Sequence, residues 1–280
     1  MFFKLLKYDF KIGIIYQFKK LIISACVFSG VFVDCCVRLR SYMTGHSPFQ
    51  IEKTLGNVFL YVFGGAQAYD KNVDTQFIFP AIWILIYLLL LYFTLYYPYN
   101  NLEENGQNIL VRSGGRTLWW ISKCCWAVLT VAIYFAVSWI VLTVACKLSG
   151  IPLSTRLSPN IWKFLEMRDT APYLYPENLN LEIFVLPFLV MTSLSLLQMT
   201  VSLFIRPIYS YIITAIIVLS SSYYQSPWLL GNYAMPVRSS RMIENGVNPY
   251  IGIAFSLALT ICSFAVGIVK FKKYDILKKE

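Results

Sequence analysis

"FIFPAIWILIYLLLLYFTLYY", Phe77 to Tyr97, carries no charged side chain and is bracketed by Pro80 and Pro98. Crossing the hydrocarbon core of a bilayer takes a helix of roughly 20 apolar residues, and this run is long enough. Comparable runs lie on either side of it, at about 21–37, 124–146, 183–205, 209–224 and 250–269. The whole chain of 280 residues is 58% hydrophobic and 14% charged. Soluble domains carry about 25% charged residues, so these groups are too few to cover a globular surface. The sequence predicts an all-α integral membrane protein, one transmembrane domain over 1–280 with six spanning helices.

Lysine and arginine set the orientation. With both termini on one side, together with the loops after the second and fourth spans, that side collects 14 of the 24 basic residues. The positive-inside rule makes it the cytoplasmic face of the plasma membrane. This asymmetry also accounts for the net charge of +10 and the pI near 9.2, so nucleic acid is not an expected partner. The opening "MFFKLLKYDFKIGIIYQFKK" sets Lys4, Lys7 and Lys11 on one helical face and Phe3, Leu6, Phe10 and Ile14 in an apolar stripe. That pattern predicts a helix over 1–20 lying in the membrane interface. No signal-cleavage site is evident, and the mature chain is expected to begin at or near Met1.

Three segments between spans are too long for simple turns and fall on the outer side. Met43–Gln76 includes "NVFLYVFGGAQAY", too short to span and suited to a re-entrant or surface position. Leu148–Leu181 mixes proline with charge. Tyr223–Gly246 carries aromatics and prolines, and predicts re-entrant or short outer helices between the last two spans.

Chemistry-bearing motifs are sparse. No phosphate loop is present: Gly114 and Gly115 precede Arg116 without the lysine or the spacing. Neither a zinc-hydrolase helix nor a nucleophile elbow appears, so no catalytic residue and no bound cofactor are expected. Cys26, Cys35, Cys36, Cys124, Cys125, Cys146 and Cys262 sit in or beside apolar runs without metal-ligand spacing, and no metal site is expected. Asp34 and Arg38 stand one helical turn apart, as an interfacial ion pair would. In the fourth span, Ser195, Gln198 and Ser202 share a face; such residues either glue helices together or line a translocation path.

The loop after the second span carries most information. "NLEENGQNILVRSGGRTLWWISK" opens on Glu103 and Glu104, continues through the apolar Ile109, Leu110 and Val111, and reaches Gly114 and Gly115, which suit a helix end. Arg112 and Arg116 then project near that end. Trp119, Trp120 and Lys123 stand where headgroup-level anchors are usual. A connection of this length with a helical pattern predicts a soluble partner.

The stretch "NGQNILVRSGGRTLWWISK", Asn105–Lys123, together with "PWLLGNYAMPVRS", Pro227–Ser239, resembles permeases of the type-2 ABC exporter family from Gram-positive bacteria. The resemblance covers almost the whole chain: interfacial helix, six spans, structured cytoplasmic connection and elaborate outer segment. It implies a coupling helix between the second and third spans, seated on a separate cytoplasmic ATPase that holds the ATP and Mg²⁺. By position, Glu103, Glu104, Asn108, Arg112 and Arg116 would dock there. A second permease subunit, identical or paralogous, would complete the path, with membrane lipid around it. The implied function is ATP-driven export of an amphipathic peptide, antibiotic or lipid-like cargo by alternating access. Two alternatives stay open: an immunity permease extracting a membrane-active peptide, and a membrane scaffold or sensor that transports nothing.

Overall fold

The computed structural model describes residues 2–15, 17–44, 51–70, 76–103, 115–165, 167, 174 and 176–273. Among these the regular structure is helical, with no strand. Helix α1 (Phe2–Phe10) runs into a π-helical turn, Lys11–Ile15. After it come α2 (Phe18–Thr44), the short α3 (Leu55–Phe63), α4 (Ala81–Leu95) and α5 (Arg116–Leu148). The chain closes with α6 (Leu186–Val201), α7 (Pro207–Tyr223) and α8 (Pro249–Lys272).

Among the described residues five helices are long and apolar enough to cross a bilayer: α2, α4 with its continuation to Glu103, α5, α6 with the preceding turn from Leu181, and α8. This marks a helical membrane protein. Helix α7, apolar and 17 residues long, falls just short of that length. α4 breaks at Tyr96 before resuming over 97–103. Pro98 explains the break, since its ring nitrogen has no hydrogen to offer the carbonyl of Thr94 and its ring crowds that carbonyl.

α6 and α4 form the centre, with 72% and 61% of their apolar windows buried, against 22% for α8. The peripheral helices expose aliphatic faces, including Val33 and Val37 on α2, Ile212 and Ile216 on α7, and Ile261 and Val269 on α8. Apolar faces of this extent on three helices belong against lipid. The buried stripe of α8 is nearly all small: Gly252, Ser256, Ser263 and Gly267, with Phe271 at its end. Small residues let membrane helices approach closely. A Cβ on Gly267 would overlap the Trp120 indole.

One end of the bundle gathers α1, the end of α4, the start of α5, the 202–206 turn and the end of α8. The opposite end is a hydrogen-bonded cap. Leu55 and Gly56 donate backbone N–H to the carbonyls of Pro152 and Ser154, and Asn57 accepts from Ser158 N. α3, expected to be re-entrant or on the surface, is therefore interior: Val58, Leu60, Val62 and Phe63 are fully buried. Thr54 caps its N-terminus, and Gly65, at φ 75°, turns the chain after it. Between α7 and α8 the expected short helices are two 3₁₀ turns, Leu230–Ala234 and Pro236–Arg238.

Some helices extend beyond the expected apolar runs, while α4 starts later than its run, at Ala81 rather than 77, and α6 stops short of its end, at Val201 rather than 205. α5 begins at Arg116 rather than 124, and α2 ends at Thr44 rather than 37. Hydropathy marks only what favours lipid, whereas a helix continues wherever protein contacts satisfy its polar residues.

Candidate functional site

The gathered end holds a buried carboxylate. Asp9 of α1 is 2% exposed. Its Oδ1 accepts from Tyr97 Oη at 2.8 Å and from Lys123 Nζ at 2.5 Å, and its Oδ2 accepts from Ser122 Oγ at 2.6 Å. The Lys123 ammonium also stands 4.5 Å from the Tyr97 ring centroid and 5.1 Å from that of Trp119. Each charge thus has its opposite, with hydroxyl and aromatic partners completing the shell, which is the condition for a tolerable buried ion pair. Tyr97 belongs to the stretch closing α4, and Ser122 and Lys123 to the first turns of α5. Asp9 therefore ties α1 to both flanks of the connection that runs from 104 to 114.

Close packing supports the tie. Gly13, one turn beyond Asp9, lies where a Cβ would overlap the Trp126 indole and the Tyr97 ring. The π-helical turn brings Gly13 and Ile14 into the protein, while Phe3 and Phe10 stay exposed. The apolar stripe expected on α1 is thus divided. Ile14 packs inward, Phe3 and Phe10 face out, and the face held by the protein is the one carrying Asp9 and Gly13.

Trp119 and Trp120, expected as headgroup anchors, are instead buried at 2% and 1% exposure. They stack on Phe271 with centroids 4.7 and 6.0 Å apart. Lys123, expected to mark the bilayer boundary, has its side chain 1% exposed against Asp9. All three lie near the start of a spanning helix, as the sequence reading required. Partners from α1 and α8, invisible in the local pattern, take them out of the interface.

Of the residues expected to dock a partner, Glu103 is exposed at the end of the α4 continuation. Arg116 donates from Nη1 to the carbonyl of Lys272 at 2.8 Å, satisfying one of the orphan carbonyls that end α8. Glu104, Asn108 and Arg112 lie outside the described residues.

In the fourth span, Gln198 is 1% exposed. Its Nε2 donates to Leu91 O of α4 at 3.0 Å, and its Oε1 accepts from Thr214 Oγ1 of α7 at 2.9 Å. Ser202 Oγ turns back to Met199 O, and Ser195 Oγ is buried without a partner. The side-chain amide of Gln198 ties three helices of one chain together. Gln198→Leu is accordingly expected to lower stability by about 1 kcal/mol, the worth of the lost hydrogen bonds, because Leu91 O keeps Thr94 Oγ1 and Thr214 Oγ1 keeps the carbonyls of Ser210 and Tyr211. Thermal unfolding in detergent checks this, and an unchanged unfolding temperature would show that the amide contributes nothing to packing.

At the opposite end, Arg238 is fully buried. It donates to the carbonyls of Ala66 at 2.7 Å, Ser221 at 2.5 Å, Ser222 at 2.6 Å and Tyr224 at 3.1 Å, and to Asn232 Oδ1. Burial pulls its pKa down to about 9, still above neutrality, so the guanidinium stays charged within a ring of carbonyl dipoles. Nearby, Glu182 is buried and accepts from Ser239 Oγ and Arg241. Asp34 and Arg38 form the expected pair at 3.1 Å, and Tyr61 Oη also donates to Asp34. Among the described residues no cluster of histidine, cysteine or carboxylate suits a metal.

A family model for proteins of unknown function, DUF2705, matches residues 22–277. The chain belongs to this family. No curated protein and no solved structure matches it. In this DUF2705 chain the matched stretch includes Tyr97, Ser122, Lys123 and Arg238, while Asp9 precedes it. Sequence reasoning missed the Asp9–Lys123 tie and the role of Arg238. One signal was available for the first: Asp9 is the lone acid in an opening segment of lysines.

Proposed function

We propose that the chain is the membrane-spanning subunit of a type-2 ABC exporter, moving an amphipathic cargo across the plasma membrane by alternating access. In this reading six helices cross the bilayer, α7 being the sixth, and both termini face the cytoplasm. At 17 residues α7 is about 26 Å long, slightly short of a typical hydrocarbon core, and it exposes Ile208, Ile212 and Ile216 outward. A separate ATPase supplies ATP and Mg²⁺ and docks on the connection between α4 and α5. A second permease subunit completes the path.

The observation that carries this reading is the Asp9 tie. It joins α1 to both flanks of the connection, and the stacking of Trp119 and Trp120 on Phe271 adds α8. A push on the connection would therefore reach four helices as one body, which is what coupling to a remote motor needs. A membrane scaffold has no use for such a linkage.

The test is purification of the tagged full-length chain from its native membranes. An ATPase is expected to copurify, and the double variant Glu103→Lys/Arg112→Glu is expected to lose it while the chain stays folded. Arg116 is left intact because it caps α8. A folded wild-type preparation that recruits no ATPase would overturn the proposal.

A further inference from the structure

Beside the Asp9 tie, a cleft of about 450 Å³ opens between the α1 turn, the start of α2 and the end of α4. Tyr8, Gln17, Lys20, Tyr92, Tyr96 and Asn101 are among its lining residues. Two of them carry buried acceptors with no hydrogen-bond partner, Gln17 Oε1 and Asn101 Oδ1. Asn101 is 5% exposed, and among the described residues its amide nitrogen reaches Tyr8 Oη alone, at 3.5 Å. Buried carbonyl oxygens left unpaired are uncommon, and two on one cleft call for a ligand that brings N–H or O–H donors. The cleft also holds a cation. Lys20 Nζ gives one hydrogen bond to Phe93 O at 2.6 Å, and an ammonium has three N–H groups to give.

The mouth faces outward. Tyr92 is 53% exposed and Tyr96 40%, and apolar Ile15, Phe18 and Ile22 lie exposed on the adjoining α1 turn and α2. Tyrosine rings beside exposed aliphatic surface at the end of a spanning bundle suit the headgroup layer, where one part of a ligand is polar and the rest apolar.

We propose that this cleft binds a phosphodiester bearing free hydroxyl groups: the phosphate against Lys20, the hydroxyls donating to Gln17 Oε1 and Asn101 Oδ1. Phosphatidylglycerol presents this chemistry from the bilayer, and glycerophosphoglycerol presents it from solution. Phosphatidylcholine has the phosphate but no donor, and is the matched control. Occupancy would clamp α1 to α2 and α4 beside the connection, whether or not the chain moves a cargo.

The experiment is native mass spectrometry with thermal unfolding of the full chain in detergent, with each of the three compounds added. Wild type is expected to retain phosphatidylglycerol over phosphatidylcholine by roughly fivefold to tenfold, the worth of one or two hydrogen bonds. Gln17→Leu breaks no side-chain hydrogen bond among the described residues. It is expected to be at least as stable as wild type without lipid, and to lose most of that preference. Lys20→Gln should weaken retention of both lipids. Stabilisation by glycerophosphoglycerol equal to that by phosphatidylglycerol would assign the site to the soluble diester. Equal retention of the two lipids by wild type, or a preference untouched by Gln17→Leu, would overturn the proposal. So would a Gln17→Leu chain less stable than wild type without lipid, because Oε1 would then have a partner of its own.

Discussion

Asp9→Ala is expected to destabilise the protein by about 3–5 kcal/mol, because it strands the Lys123 ammonium in a site it otherwise shares with a carboxylate. Tyr97 Oη and Ser122 Oγ lose their acceptor in the same step. The loss should register as a lower unfolding temperature in detergent and as easier proteolysis of α1. Lys123→Met alone should cost a similar amount, by leaving the carboxylate without its cation. The paired variant Asp9→Leu/Lys123→Met separates charge from packing. A buried pair replaced by apolar residues of similar volume is often neutral or stabilising, so the double variant should recover most of the stability. Under the exporter proposal, transport should recover far less than stability, since the tie across the connection is gone. A single Asp9→Ala variant with an unchanged unfolding temperature would show that the pair contributes nothing.

Arg238→Met is the second large effect, expected at about 3 kcal/mol or more. α7 ends at Tyr223, and the carbonyls of its last turn have no partner within the helix. Arg238 satisfies those of Ser221 and Ser222, takes Tyr224 O just beyond, and holds Ala66 O and Asn232 Oδ1 in the same ring. Its positive charge also lies at the negative end of the helix dipole. Methionine fills the volume but leaves these acceptors buried and unpaired. Arg238→Lys should fall between, because one ammonium has three donors against the five of the guanidinium. Thermal unfolding and proteolysis over 225–248 read the effect. Wild-type stability in the methionine variant would mean that water satisfies the carbonyls instead.

The parts of this molecule legible in its sequence are those a residue carries by itself. Phe77–Tyr97 reads as a membrane segment because it carries no charge and is mostly leucine, isoleucine and phenylalanine, and the structure has a helix there from Ala81. The pairing of Asp34 with Arg38 was legible because both partners sit one helical turn apart. The π-helical turn at Lys11–Ile15 and the interior position of α3 were not. A short apolar helix reads alike whether it meets lipid or protein. For Gln198 the residue type already favoured helix packing over a translocation path, and its partners Leu91 and Thr214 lie on two other helices, which no local pattern shows.

The sequence by itself determined the solvent of this protein, through apolar runs of spanning length. Only the tertiary structure decided which polar groups leave water. Asp9 and Lys123 are 114 positions apart, and Arg238 finds Ala66 across 172. Transfer energy is a property of one side chain, whereas the cost of burying a charge depends on what faces it. That is set by how the helices pack.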